Sequence, residues 1–205
     1  MESMKLICIG RNYVKHIEEL GNEKPESPII FLKPDSALIK NNDPFYYPDF
    51  STDIHYEVEI LVKIKKVGKS IPANFAHKYY DEIGLGIDLT ARDLQSKAKA
   101  KGLPWDLAKG FNGSAPISNF INKHPFNVQD LNFSLKLNNI TVQSSNTSLM
   151  LWSIDEMIAY VSQYMTLKKG DILFTGTPEG VGPIKIGDQL EGFIESQNMF
   201  HFEIR

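Results

Sequence analysis

The sequence contains a single cysteine, Cys8, among its 205 residues. One thiol excludes an internal disulfide and suits a reducing compartment, so we expect a cytoplasmic protein. The chain has no tract of basic residues and its net charge is −3, which argues against nucleic acid or an anionic membrane as a partner. Its apolar runs are no longer than strands, far below the roughly 20 residues of a membrane helix. The polar start Met1–Lys5 does not resemble a signal peptide.

What the chain does contain is an ordinary globular composition, 42% hydrophobic and 23% charged, which is ample for a core. At this length we expect one domain covering residues 1–205. Apolar, β-branched runs of strand length outnumber the helical patterns, and they alternate too irregularly for a doubly wound βαβ fold. The sequence therefore predicts an α+β, strand-dominated fold with a few short helices.

The individual elements follow from periodicity and from start and stop signals. Helices are predicted at Tyr13–Leu20, Asn74–Tyr80 and Thr90–Lys101, and from the capping box Ser153–Glu156 to about Met165. Strands are predicted at Lys5–Ile9, Ile29–Leu32, Ala37–Lys40, Asp53–Lys65, Asp171–Thr175, Gln189–Glu195 and Met199–Ile204. A further strand, with the apolar run Ile83–Ile87, is predicted to end at Asp88. Residues 131–143 alternate around a hairpin turn at Asn138-Asn139.

Residues 12–28 are predicted to form a mobile segment between two strands. The helical stretch in it stops at Gly21-Asn22, and Glu23–Pro28 is polar and rich in proline. A segment of this kind can act as a lid that closes over a bound substrate.

Three acidic residues suggest a metal site. Glu57 and Glu59 project from the same face of a predicted strand, because strand side chains alternate. Asp88 ends the next long apolar run. If Asp88 lies beside the two glutamates, the three carboxylates offer the oxygen ligands of a hard cation such as Mg²⁺. The alternative is the solvated face of an edge strand.

A second group suggests acid–base chemistry. His16 and Glu19 are three residues apart on a predicted helix, so they share a face and can pair. A carboxylate on one imidazole nitrogen orients the ring as a general base. The alternative is an incidental ion pair on a surface helix. Lys109, in the nearly apolar stretch Leu107–Phe111, is either a snorkelling side chain or a cation aimed at an oxyanion.

Several other polar residues could contact a substrate. Arg92 and Gln95 share one side of the predicted helix after Asp88, where Arg92 could hold a carboxylate or simply lie on the surface. In the loop 176–183, Thr177 could donate a hydroxyl, although a tight turn explains the loop equally well. Lys33 is a similar cation at a strand end, and His55 is an alternative base.

Read together, these pieces resemble the fumarylacetoacetate hydrolase family, and within it the short acylpyruvases and oxaloacetate decarboxylases. The resemblance covers nearly the whole chain in order. The matching segments are Ile9–Tyr13, Phe31–Pro34, His55–Glu59, Asp88–Gln95, Gly102–Trp105, Ala108–Phe111 and Thr175–Gly182.

The resemblance implies a mixed β-sandwich roll with short peripheral helices, assembled as a homodimer. It implies Mg²⁺ or Mn²⁺ at the positions of Glu57, Glu59 and Asp88. It also implies a catalytic dyad in an N-terminal lid, which falls on His16 and Glu19, and an active-site lysine, which falls on Lys109. The substrate contacts that it implies fall on Arg11, Arg92, Gln95 and Thr177.

The reaction expected from the resemblance is metal-dependent cleavage of small 2-oxo acids, by acylpyruvate hydrolysis or oxaloacetate decarboxylation, through a pyruvate enolate. Three alternatives remain open. An isomerase or hydratase of 2-oxo dienoates could use the same metal site. A glycosidase could use paired carboxylates, although Glu57 and Glu59 are too close in sequence to flank a sugar. A β-rich binding module would need no metal.

Overall fold

The computed structural model describes residues 4–124 and 126–205, so the first three residues of the polar start lie outside it. Strands dominate and the helices are short, as predicted. The strands are β1 (Leu6–Gly10), β2 (Ile29–Lys33), β3 (Leu38–Ile39), β4 (Ile54–Tyr56), β5 (Val58–Ile64), β6 (Tyr80–Ile87), β7 (Thr90–Ala91), β8 (Ala115–Pro116), β9 (Ile121–Asn122), β10 (Asn132–Leu137), β11 (Ile140–Asn146), β12 (Ile172–Phe174), β13 (Gly182–Pro183), β14 (Gln189–Ile194) and β15 (Gln197–Glu203). The α-helices are α1 (Val14–Glu19), α2 (Ala73–Ala76), α3 (Arg92–Ala100), α4 (Asp106–Lys109) and α5 (Ile154–Tyr164).

Two sheets form the body of a mixed β-sandwich roll. The larger sheet has the order β2-β1-β12-β5-β6-β9, with β1 and β12 parallel and the other neighbours antiparallel. The smaller sheet has the order β11-β10-β14-β15 and is antiparallel throughout. A three-stranded sheet, β13-β4-β7, and a parallel pair of strands, β3-β8, complete the fold.

Alternation along β5 divides the core from the candidate site. Val58 and Ile60 are fully buried in a cluster with Leu135 and Phe200 of the smaller sheet, so this face closes the sandwich. Further along the large sheet, a second cluster packs against α5. The opposite face of β5 carries Glu59 at its start and Leu61, part of a third apolar cluster, further along, so the polar site lies at the start of the strand.

Several element boundaries differ from the sequence prediction. The strand predicted at 53–65 breaks at Glu57, and β4 and β5 belong to different sheets. The helix predicted to run to Tyr80 ends at Ala76, because Tyr80 begins a long strand of the main sheet. The helix predicted from Thr90 begins at Arg92. The Ser153–Glu156 capping box is confirmed.

The hairpin turn at Asn138-Asn139 is also confirmed. Both residues have positive φ, +50° and +67°, the conformation that tight hairpins need and asparagine tolerates. Among the described residues, no helix is both long and apolar enough to cross a membrane.

Candidate metal centre and active site

The register of β5 and β6 brings the three predicted acids together. Val58 pairs with Ile87, and one step outward the Asp88 N–H donates to the Glu57 carbonyl at 2.8 Å. Side chains of paired residues lie on the same face of an antiparallel ladder. Glu57, Glu59 and Asp88 therefore converge, and one carboxylate oxygen from each lies within 4.8 Å of the other two.

These carboxylates are not on a solvated face. Glu57, Glu59 and Asp88 are 4%, 2% and 1% exposed. The alternative reading of the pair as the outer face of an edge strand is therefore wrong. A buried charge is costly unless cations and hydrogen bonds compensate it, so the surroundings of each carboxylate decide what the cluster can do.

Two buried lysines compensate part of the charge. Lys109 Nζ lies 2.8 Å from Glu57 Oε2, 2.6 Å from Asp88 Oδ2 and 2.6 Å from Thr90 Oγ1. Lys33 Nζ lies 2.8 Å from Asp88 Oδ1. An ammonium has three donors, so Lys109 uses all of them to hold the acids and Thr90 in place. The snorkelling alternative for Lys109 is thereby wrong.

Arg92 provides a third cation. Its guanidinium pairs with Glu57 and donates to Gln95 Oε1 at 2.6 Å. Burial alone would raise the pKa of Glu57, but Lys109 and then Arg92 reverse that effect and hold the pKa well below its ordinary value. Burial would lower the pKa of Lys109, and Asp88 and Glu57 turn this into a raised pKa.

Glu59 lacks such compensation. Within residues 4–124 and 126–205, no lysine, arginine or histidine forms an ion pair with it; its contact is the Gly176 N–H, 2.7 Å from Oε2. Burial, followed by repulsion from Asp88, raises the pKa of Glu59 well above its ordinary value. The three cations of the cluster pair with Glu57 and Asp88, and Glu59 is left without one. An all-oxygen, buried donor set with one uncompensated carboxylate fits a hard divalent cation, and the three acids could hold one.

The N–H that Glu59 accepts is held by a tight loop after β12. Gly176 has φ +97°, and the side chain of Asn12 passes beneath it. Asn12 is fully buried, and its Nδ2 donates to the Thr175 carbonyl at 2.8 Å. The start of the segment 12–28 is thereby tied to the loop that orients a candidate ligand.

Gly176→Ala is expected to lower the free energy of unfolding by about 2–4 kcal/mol. A Cβ there would lie 2.7 Å from Asn12 Cβ in a left-handed backbone. Gly187→Ala is the matched control, since φ is +92° and nothing lies within 4 Å; backbone strain alone should cost about 1–2 kcal/mol there. Urea unfolding followed by tryptophan fluorescence measures both. Equal costs at the two sites would contradict the assigned clash.

The predicted dyad lies on α1 beside the acids. His16 is 6% exposed, so the incidental surface pair is excluded. Its Nδ1 lies 3.4 Å from Glu19 Oε2, and both Glu19 oxygens accept the Gly180 N–H, at 3.0 and 3.2 Å. Burial lowers the pKa of His16, although Glu57 and Glu19 act in the opposite direction. The lowered pKa favours the neutral ring, which is the form that a general base needs.

One cavity collects the predicted site residues. Glu19 contacts His16 but is not part of the cavity wall. His55 is not part of the wall either, and its Nε2 lies 2.9 Å from Asp53 Oδ1. The cavity wall includes Arg11, His16, Glu57, Glu59, Asp88, Arg92, Gln95, Lys109 and Thr177.

Some contributors were missed by sequence reasoning. Gln143 lies on β11, where its Oε1 accepts the Val58 N–H at 2.9 Å and its Nε2 donates to Thr177 Oγ1 at 3.0 Å. Nothing in the local sequence distinguishes this glutamine from others on an alternating strand. Thr90 could have been found from its spacing, since it lies only two residues after Asp88. Lys99 and Trp105 also line the cavity.

Comparison with known proteins places this geometry in context. Residues 5–204 match the family described as fumarylacetoacetate (FAA) hydrolase C-terminal. The mitochondrial oxaloacetate tautomerase of Mus musculus is 40% identical over 201 residues, covering 98% of this chain and 91% of the relative.

Solved structures agree with the sequence relatives. The fumarylpyruvate hydrolase of Pseudomonas aeruginosa, in complex with Mn²⁺ and pyruvate, superposes with a TM-score of 0.93 at 32% identity, covering 98% of this chain and 89% of that one. The 2-hydroxyhepta-2,4-diene-1,7-dioate isomerase of Mycobacterium marinum gives a TM-score of 0.86 at 31% identity, covering 98% and 74%. Hydrolases and isomerases thus share this fold.

Proposed function

The chain belongs to the fumarylacetoacetate hydrolase family, as its motifs predicted, and from this premise we propose that it is a divalent-metal-dependent enzyme acting on small 2-oxo acids. The reaction we propose is C–C bond cleavage through a pyruvate enolate, by acylpyruvate hydrolysis or oxaloacetate decarboxylation. The observation that carries the proposal is one cavity containing three buried carboxylates, of which Glu59 has no cation partner among the described residues, together with a buried His16 in the same cavity wall.

Glu57, Glu59 and Asp88 are the proposed ligands of Mg²⁺ or Mn²⁺. When bound, such a cation supplies a Lewis acid for the carboxylate and 2-oxo oxygens of the substrate and so makes the pyruvate enolate a better leaving group. The oxygen-only ligand set supports Mg²⁺ or Mn²⁺ over softer metals.

For an acylpyruvate, His16 takes a proton from water, and the resulting hydroxide adds to the distal carbonyl carbon. The C–C bond then breaks, and its electron pair goes to C3 of the pyruvate enolate. The protonated His16 returns the proton to C3, which leaves a carboxylic acid and pyruvate. Glu19 keeps the ring oriented through Nδ1. For oxaloacetate, CO₂ departs without attack by water, so the dyad matters less.

Lys109 is proposed to keep a positive charge beside the reacting oxygens. To donate to an oxyanion, it must give up one of its three present hydrogen bonds, to Glu57, Asp88 or Thr90. Arg11, Gln95 and Thr177 are proposed to contact substrate oxygens from the cavity wall. Arg92 is proposed to contact the substrate while it orients Glu57.

We propose that residues 12–28 act as the lid of this single domain. The segment carries His16 and Glu19, and Glu19 reaches the body of the protein through the Gly180 N–H. Closure would bring the base to the substrate and separate the attacking water molecule from bulk solvent. The protein is also proposed to be a homodimer and to act in the cytoplasm. Light scattering of the purified protein tests the oligomeric state.

Chelation of the metal is expected to lower the rate at least about 100-fold, since several kcal/mol of charge stabilisation are lost. The ultraviolet loss of acetylpyruvate or oxaloacetate is followed with Mg²⁺, with EDTA, and after Mg²⁺ is restored. Activity should return on restoration, and Mn²⁺ should substitute. Turnover that is insensitive to EDTA would contradict the proposal and revive a metal-free carboxylate mechanism.

A second candidate is isomerisation or tautomerisation of a 2-oxo acid on the same metal site. A buried neutral His16 could move a proton between C3 and an oxygen without water, and the similarity to a tautomerase and an isomerase favours this reading. The two candidates differ in product. Cleavage releases pyruvate, which lactate dehydrogenase detects, whereas isomerisation changes the ultraviolet spectrum without pyruvate.

A further inference from the structure

Two cations meet at the mouth of the cavity around one oxygen atom. Arg11 Nη2 lies 3.0 Å and Lys99 Nζ lies 3.5 Å from Asn22 Oδ1. Both cations line the cavity, as does Asn22. Two positive side chains are therefore held on a neutral amide oxygen, in the arrangement that a carboxylate oxygen would occupy more favourably.

The fold brings these cations from two separate elements. Arg92, Gln95 and Lys99 are three and four residues apart on α3, so they share one face of the helix. Arg92 reaches Glu57 at the floor of the cavity, and Lys99 lies about 10 Å further along the helix axis. Arg11 follows β1 with φ +58°, a left-handed conformation that is costly for a residue with a side chain.

The charges at the mouth are unbalanced, unlike those at the floor. At the floor, the three carboxylates face an equal number of cations, Lys33, Lys109 and Arg92. In the part of the chain that the structure describes, neither Arg11 nor Lys99 has a carboxylate within ion-pair distance. Burial, then repulsion from Arg11 and Arg92, lowers the pKa of Lys99. An anion bound between the two cations would relieve this repulsion.

We propose that Arg11 and Lys99 form a subsite for the distal carboxylate of a dicarboxylic 2-oxo acid. The inference rests on the proposed function in one respect: the 2-oxo acid end is taken to lie at Glu57, Glu59 and Asp88. The Trp105 ring, whose centroid lies 5.6 Å from Lys99 Nζ, forms an apolar side for the intervening carbons.

Calorimetric binding of matched non-cleavable acids to the Mg²⁺-loaded protein tests the subsite. 2-Oxoadipate and 2-oxohexanoate have the same six-carbon chain and differ at the distal carboxylate. Wild type is expected to bind 2-oxoadipate about 10- to 100-fold more tightly, the range for a charged hydrogen-bonded pair. Lys99→Gln should reduce this preference at least about tenfold, and Lys99→Arg should restore most of it, because arginine keeps the charged hydrogen bond to a carboxylate.

Lys97→Gln is the matched control, because Lys97 is exposed on the same helix and is not part of the cavity wall. It should keep the preference of wild type. Equal binding of the two acids by wild type, an undiminished preference in Lys99→Gln, or binding of neither acid would overturn the subsite. Failure of the proposed function is a separate result: no 2-oxo acid is turned over, whatever the binding preference.

Discussion

Glu59→Gln is expected to abolish metal binding and lower kcat/KM about 10³-fold or more, because one ligand and several kcal/mol of charge stabilisation are lost. Glutamine has the same shape, and its amide oxygen can still accept the Gly176 N–H that Glu59 accepts at 2.7 Å. Glu59 has no cation partner among the described residues, so removing its charge leaves no other ion unpaired. The metal-free variant should therefore fold at least as stably as wild type.

The two effects are separated by measuring thermal stability with and without saturating Mg²⁺, beside the rate of acylpyruvate loss. Wild type should gain stability with Mg²⁺, as any ligand specific for the native state provides, and Glu59→Gln should gain none. Glu82→Gln is the control: Glu82 pairs with Lys63 on the neighbouring strand, 2.8 Å away, and should keep the Mg²⁺ response. A full response in Glu59→Gln would rule out the carboxylate as a ligand.

The elements that the sequence predicted well are those governed by local physics. The Ser153–Glu156 capping box satisfies the N–H groups at the start of a helix within four residues. Asn138-Asn139 turns a hairpin because asparagine tolerates positive φ. The predicted boundaries were wrong where pairing with strands far away in the sequence decides where an element ends. The break at Glu57 exists because β4 pairs with β7 and β13 while β5 joins the large sheet.

The same division applies to the candidate site. The spacing of His16 and Glu19, and the alternation that puts Glu57 and Glu59 on one face, could be read from the chain. Burial of those carboxylates could not, because it depends on the layers that cover them. Nor could the role of Gln143, which reaches Val58 across 85 residues of sequence. Long-range pairing, more than residue type, decides which carboxylate has a cation and which lacks one.

His16→Ala is expected to lower acylpyruvate hydrolysis about 10²- to 10⁴-fold, the range for loss of a positioned general base. His16 contacts none of the three carboxylates through a hydrogen bond in the described residues; its partner is Glu19. The variant should therefore keep the Mg²⁺ response in thermal stability. Oxaloacetate decarboxylation should fall much less, since no water must be activated. Equal loss of metal binding and hydrolysis would contradict this division of labour.

The pH profile gives the same prediction a signature that a merely structural histidine would not produce. Hydrolysis needs the neutral ring, and burial lowers the pKa of His16 below its ordinary value of 6.5. Activity should therefore persist as the pH falls to 6.5 and disappear only at lower pH, as the ring is protonated. The hydrogen bond and charge of Glu19 raise the pKa of His16, so Glu19→Gln should move this acid limb to still lower pH. His201→Ala, which removes an exposed histidine on β15, should leave the limb where it is in wild type. An acid limb that stays in place in Glu19→Gln would mean that His16 is not the base.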